Sequence, residues 1–455
     1  MGHHLVRLPG PPSLRGDLPS ADAYLPGHGD PSWSATRYDL DLEYDVDGNR
    51  LRAEATIALR AEEDVTRLVL DLAHLDVSKV LVDGAPPAKY AQRQHRLVVT
   101  LRGELTAGQR ATLVVRYAGS PEPLVEKHHA EAGWEELTDG VIVAGQPHGA
   151  PTWFPCNDRA DDKAAYAIRV TTHPDYTVVA NGLLRSRDRR GASVTWVYEQ
   201  DEPMATYLAT VQIGRYDVRD VEGPVSILAA VPADLDAESE AAYDVGFGQQ
   251  GEMMRTFTEL FGPYPFPVYT SVVTDDDLEI PLESQSLSTF GRNFLSDDWD
   301  CVRLVAHELA HQWFGNAVTL AKWRDIWLHE GFACYAEWIW SEASGGDSAD
   351  QWAQHHHERL SGLDQDLVLS DPGAELMFDD RVYKRGALTL HALRLTIGED
   401  AFFDVLRDWV ATHSGGSVTT ADFVDHAATS TGHDLAELFA AWLDSPELPE
   451  LPSAG

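Results

Sequence analysis

TRYDLDLEYDVDGNRLRAEATIAL, residues 36–59, alternates apolar and polar side chains on either side of a central turn. Tyr38, Leu40, Leu42 and Tyr44 share one face, and Asp39, Asp41 and Glu43 share the other. After Asp47-Gly48-Asn49 the alternation resumes through Leu51, Ala53, Ala55, Ile57 and Leu59. A period of two interrupted by an Asp-Gly-Asn turn predicts a half-buried antiparallel hairpin. Similar runs recur at RLVLDL, KVLVDG, RLVVTL, ATLVVRY, YAIRVTT, TVVANG and SVTWVYE. Together they predict an all-β unit, a sandwich or saddle, over residues 34–224. Residues 1–33, rich in Pro, Gly and Asp, read as an irregular lead-in.

The period changes after about residue 235. SEAAYDVGFGQQGEMMRTFTELFG, DCVRLVAHELAHQWFG, IWLHEGFACYAEWIWSEA, KRGALTLHALRLTIG, EDAFFDVLRDWVATH and DLAELFAAWL all carry helical periodicity. PVYTSVVTDDD and the later STF offer strands for a small sheet. Residues 225–455 are therefore expected to form an α+β unit that is mainly helical. A chain of 455 residues is too long for a single core, so a multidomain protein is the natural reading.

Composition excludes several function classes. A net charge of −38 opposes binding to nucleic acid, whose phosphates it repels, and suits cationic substrates such as peptides with a free amino terminus. No run of eighteen apolar residues occurs, so no membrane span is expected. The amino terminus lacks the apolar core of a secretion signal, which points to the cytoplasm. Cys156, Cys301 and Cys334 are odd in number and far apart, so neither a disulfide framework nor a cysteine metal knuckle is expected. Oligomeric state leaves no mark in these residues.

The chemistry is concentrated in HELAHQWFG, which begins at His307. His307 and His311 stand one helical turn apart and project from one face, where both imidazoles can reach one ion. Glu308 lies about 100° further round the helix, placed to face a water rather than to ligate. Ser296, Asp297 and Asp298 supply an N-cap and an acidic first turn, and Gly315-Asn316 a stop. After His311 come eighteen residues and then Glu330, at the start of the next helical segment. Two histidines and a carboxylate leave a fourth tetrahedral position open, the mark of a catalytic rather than a structural site, and such donors favour zinc. One Zn2+ per chain is expected, suited to amide hydrolysis.

With those residues in place, the sequence resembles the aminopeptidase N and leukotriene hydrolase family of gluzincin zinc peptidases. That family carries HExxH, eighteen residues, then Glu within W-L-N-E-G-F-A. This chain has WLHEGFA, with His329 in place of the Asn. The family's G-A-M-E-N phrase matches PLESQ only at its glutamate, so the resemblance implies that Glu283 grips the substrate's α-ammonium. The V-Y-E-K-G phrase reads VYKRG and makes Tyr383 the oxyanion donor. GQPHGAPTWFPCNDRADDK makes Gln146 a residue lining the pocket for the amino-terminal residue. The resemblance extends over residues 35–445 and implies a thermolysin-like catalytic domain. Larger relatives continue into a helical domain that covers the cleft, so here the cleft is expected to be more open or covered by another molecule.

Other features carry weaker expectations. Glu337, two turns beyond Glu330, is placed to hydrogen-bond a ligating histidine, with Asp325 a rival for that role. His355, His356 and His357 point in different directions on a helix and do not form a metal site. The acidic TDDDLE stretch reads as a solvated loop, and Trp313, Trp323, Trp327, Trp338 and Trp340 as core. The expected function is a zinc aminopeptidase, with Glu308 as general base and Tyr383 stabilising the oxyanion. Two alternatives remain open at this level: a zinc hydrolase acting on a non-peptide or biosynthetic amide, and a non-catalytic binding module.

Overall fold

The computed structural model describes residues 18–453; residues 1–17 of the expected lead-in lie outside them. The opening hairpin consists of strands Trp33–Asp45 and Arg50–Ala61. Its register pairs Tyr38 with Ile57, Leu40 with Ala55, Leu42 with Ala53 and Tyr44 with Leu51. All eight side chains are buried, whereas Asp41 and Glu43 are exposed. A slip of one residue would turn that whole apolar set to water, which is why the pattern specifies the register.

The hairpin lies inside a seven-stranded sheet ordered Leu183–Arg190, Ser193–Met204, Ala164–Thr172, Trp33–Asp45, Arg50–Ala61, Arg110–Gly119 and Leu75–Val82. A five-stranded sheet (Thr177–Ala180, Val211–Gly214, Gly140–Ala144, His129–Leu137, Leu124–Glu126) and a three-stranded one (Val65–Asp71, Arg96–Leu105, Lys89–Arg93) complete this β-rich unit. Strand Leu183–Arg190 is one that alternation missed. Most of its residues are exposed, so no apolar face was there to read.

Residues 18–32 form no helix or strand, yet they are tied down. Asp22 accepts the Trp323 N–H at 2.9 Å, Tyr24 accepts the Gly373 N–H at 2.7 Å, and His28 bonds Asp158 at 2.8 Å. The segment thus bridges the β-rich unit and the helical one. Lys163 adds a second tie, donating to the carbonyls of Asn316 and Ala317 at 2.9 and 3.0 Å.

The helical unit has its own five-stranded sheet: Tyr216–Val221, Ser226–Pro232, Val268–Val273, Leu287–Phe290 and Leu282–Ser284. The first two pair as an antiparallel hairpin, so the expected break at 224/225 falls inside a hairpin. Around the sheet pack α1 (Ala237–Gly246), α2 (Gln250–Phe261), α3 (Trp299–Ala310), α4 (Trp327–Ala343), α5 (Ala349–Ser361), α6 (Asp380–Ile397), α7 (Glu399–His413) and α8 (Thr420–Thr431). Helix α8 went unread in the sequence although it begins with a capping box, Thr419 with Asp422. The five tryptophans are core, each at most 3% exposed. No helix among the described residues is long and apolar enough to cross a membrane.

Helices α4 and α6 meet at two glycines. A Cβ on either Gly331 or Gly386 would lie 2.7 Å from the other's Cα, so no side chain fits between the backbones. Glu330 and Tyr383 are carried to one site by this close approach. Gly331→Ala is expected to destabilise the protein by about 1–3 kcal/mol, the usual cost of overpacking. Denaturant unfolding measures the loss, and activity should fall further than the unfolded fraction accounts for, because Tyr383 moves with α6.

Candidate metal centre

Helix α3 presents His307 and His311 with ring centroids 4.7 Å apart. Asp298 stands at its N-cap without a side-chain bond to the helix, and His311 is the cap at the other end. The first turn of α4 brings Glu330 alongside. Glu330 Oε2 lies 3.4 Å from Nε2 of His307 and 3.4 Å from Nε2 of His311. Donors bound tetrahedrally at 2.0–2.1 Å from one zinc sit about 3.4 Å apart, so the spacing fits that ion.

The outward nitrogens determine what the inward ones offer. His311 Nδ1 lies 3.1 Å from the Phe314 carbonyl oxygen, which can only accept. Nδ1 therefore keeps a proton, which leaves Nε2 as the atom that would offer its lone pair to a bound ion. His307 Nδ1 lies 2.7 Å from Glu337 Oε1, which orients that ring in the same way. Glu337 Oε2 is held in turn by Arg303 at 3.1 Å. Asp325 lies elsewhere, bonding the backbone N–H and hydroxyl of Thr420 at the start of α8. It is thus Glu337 and not Asp325 that hydrogen-bonds His307. Glu337→Gln is expected to weaken zinc binding roughly 10–100-fold, measurable by chelator competition.

Glu283, Glu308, Glu330 and Glu337 are each at most 5% exposed. Burial pushes Glu330 up, but the two imidazoles more than reverse this and hold it well below the usual carboxylate range. Burial pushes His311 down, and the Glu283 and Glu330 charges carry it up to about 10 instead. So dense a set of buried carboxylates demands positive charge, which protons on the two imidazoles or a divalent cation in their place can supply. Glu308 Oε2 has no hydrogen-bond partner, and burial raises its carboxyl to about 8.

Glu283 sits on the edge strand Leu282–Ser284. The Gln146 amide donates to its Oε1 at 2.5 Å. Ligand atoms of Glu283, Glu308 and His311 fall within 4.8 Å of one another, so the expected amine anchor and the expected base are neighbours. Tyr383, in the first turn of α6, has its ring 6.1 Å from that of His307 and near parallel to it. Burial, together with the charges of Glu330, Glu283 and Glu308, raises its phenol well above normal, so it remains a donor.

Two neighbours went unremarked as site residues. Tyr207 is buried with its hydroxyl unpartnered, facing the charges of Glu283 and Glu330; only its place in EPMATYLA hinted at it. His329, noted above as a departure, accepts the Leu320 N–H through Nε2 at 2.8 Å. Burial pushes it down to about 3, so it joins α4 to the strand Thr319–Leu320 as a neutral ring. The acidic loop is a bonded surface: Asp276 accepts from Thr138, and Asp275 pairs with Arg292.

Comparison with known proteins matches this architecture along most of its length. A Peptidase M1 N-terminal domain covers residues 34–208, and a Peptidase family M1 domain covers residues 246–442. The M1 zinc metallopeptidase of Deinococcus radiodurans is 32% identical, with a TM-score of 0.87 over 95% of this chain and 98% of its own. The chain is a member of peptidase family M1. A mutant of a Deinococcus M1 enzyme, crystallised with a Tyr-Ser-Ala substrate, superposes at a TM-score of 0.88 with 32% identity over 96% of this chain and 99% of its own. Aminopeptidase M1-D of Oryza sativa is 24% identical over 91% of this M1 chain and 50% of its own length. The chain thus spans about half the length of the curated relatives it matches.

Proposed function

We propose that this M1 chain is a zinc-dependent aminopeptidase that removes the amino-terminal residue of peptides, with one Zn2+ held by His307, His311 and Glu330. The observation that carries the reading is the converging set of buried donors, whose outward nitrogens are fixed so that both inward lone pairs meet beside Glu330. Zinc bound there supplies Lewis-acid polarisation of the scissile carbonyl and a nucleophilic water at neutral pH.

The remaining work falls to the protein's own groups. Glu308 takes the proton of the attacking water with its unpartnered oxygen and delivers it to the departing amine. Next to bound zinc the Glu308 carboxyl would be drawn back down from its raised value, ionised and ready to accept. Tyr383 donates a hydrogen bond to the oxygen on which negative charge develops. Glu283, steadied by Gln146, pairs with the substrate's α-ammonium and so sets the distance from the amino terminus to the scissile bond. An ammonium entering this pocket replaces water against a buried carboxylate, which favours a free amine over a blocked one. Working in the cytoplasm suits the three cysteines, which are free thiols.

A panel of aminoacyl-anilides, each with a free and an N-acetylated amine, tests the assignment. Free amines should be cleaved, acetylated ones spared, and a zinc chelator should abolish turnover. Equal cleavage of both forms would overturn the aminopeptidase reading and indicate a hydrolase for other amides.

A further inference from the structure

Behind the metal centre, the ends of α3, α4, α5 and α6 enclose a cleft of about 270 Å³ that plays no part in the reaction above. Its cations come from three helices: Arg303, Arg359 and Lys384. Where the family phrase quoted earlier has a glutamate after its tyrosine, this chain has Lys384. Lys384 is 7% exposed, and among the described residues its only hydrogen bond goes to Cys334 Sγ at 3.1 Å. Glu337 Oε2, at 3.7 Å, neutralises its charge without receiving a hydrogen bond. An ammonium has three donors, so at least two remain to be satisfied.

The other polar groups are unevenly matched. Asp300 and Glu337 accept from Arg303, and Asp380 accepts from Arg359. Among the described residues, no protein acceptor takes the donors of Arg303 Nη2, Arg359 Nε and Nη1, or the remaining two of Lys384. His356, part of the histidine run, is stacked between Trp338 and Trp352 at centroid distances of 5.3 and 5.8 Å. Its Nδ1 is buried and unpartnered. Burial, with the Lys384 and Arg359 charges beside it, pushes His356 down to about 3, so the ring is neutral. On the inner wall two cations, Lys384 and Arg303, face the single buried carboxylate of Glu337, and with aromatic walls beside them these donors suit a small ligand of single negative charge.

We propose that this cleft binds a small monovalent anion, a halide or a carboxylate. Lys384 and Arg303 contact it from the inner wall and Arg359 from the rim. The site also touches the metal centre, because Glu337 faces both cations with Oε2 and holds His307 with Oε1. An anion that draws Arg303 and Lys384 toward itself leaves more of the Glu337 charge for His307, which strengthens the donor opposite and slows zinc loss. This coupling rests on the zinc reading; the binding itself does not.

Trp338 and Trp352 report occupancy directly. Tryptophan fluorescence of the zinc-loaded full chain is titrated with sodium bromide and, separately, with sodium acetate. A saturating response is expected, roughly tenfold weaker in Arg359→Gln and largely kept in Arg359→Lys, because one charge-assisted contact is lost or retained. Arg359 lies outside the catalytic machinery and its side chain is 40% exposed, so these variants should fold. Saturation by bromide alone identifies a halide site, by acetate alone a carboxylate site, and by both a shared one. A linear response to both salts, equal in wild type and Arg359→Gln, overturns the proposal. Zinc transfer to a chelator should slow at saturating anion in the wild type and not in Arg359→Gln; an unchanged rate in the wild type overturns the coupling.

Discussion

Glu308→Gln is expected to leave zinc bound at the wild-type level and to lower kcat by roughly 10²–10⁴-fold, the usual contribution of a positioned proton acceptor. The amide matches the carboxylate in shape, so packing around a residue that is 4% exposed is preserved. What disappears is the ability to take a proton from water. Metal analysis and steady-state kinetics on the same preparation separate these effects. Wild-type turnover in this variant would remove Glu308 from the mechanism. Loss of zinc together with activity would instead show that Glu308 helps hold the ion.

Glu283→Gln should act differently. Its oxygen can still accept from Gln146, so the pocket keeps its shape while losing its charge. Truncating one partner of a buried charge pair typically costs 2–5 kcal/mol, so kcat/KM for free-amine substrates should fall by roughly 10²–10³-fold. Whatever trace cleavage of N-acetylated substrates the wild type shows should be unchanged, because they bring no ammonium to pair. The ratio of the two is the diagnostic quantity. An equal fall for both substrate types would mean that Glu283 supports the metal site rather than the amine.

Much of this was legible in the residues because it is local. The hairpin could be read because the apolar period of two on residues 38–59 matches the pleat. His307, Glu308 and His311 could be read because helical spacing alone puts the two imidazoles on one face. Glu337 could be read as a partner because seven residues make two turns and return to the face of Glu330. Asp325 was as near in sequence but is not in a position to help. It precedes α4 in a short 3₁₀ turn, where its carboxylate meets the start of α8 instead. The hairpin across residue 224 was missed for a related reason: strand pairing is not a property of either strand alone.

By itself the sequence determined which side chains are candidates for the chemistry and which face of each helix or strand they occupy, since both follow from motif spacing and from periods of two and 3.6 along a single element. Only the tertiary structure decided which elements touch. The Gly331–Gly386 contact that brings Tyr383 beside His307, the pairing of Gln146 with Glu283, and the gathering of Arg303, Arg359 and Lys384 around one cleft each join residues distant in the chain. Such contacts arise from the packing of whole helices and sheets against one another, and that geometry is written in no single stretch of residues.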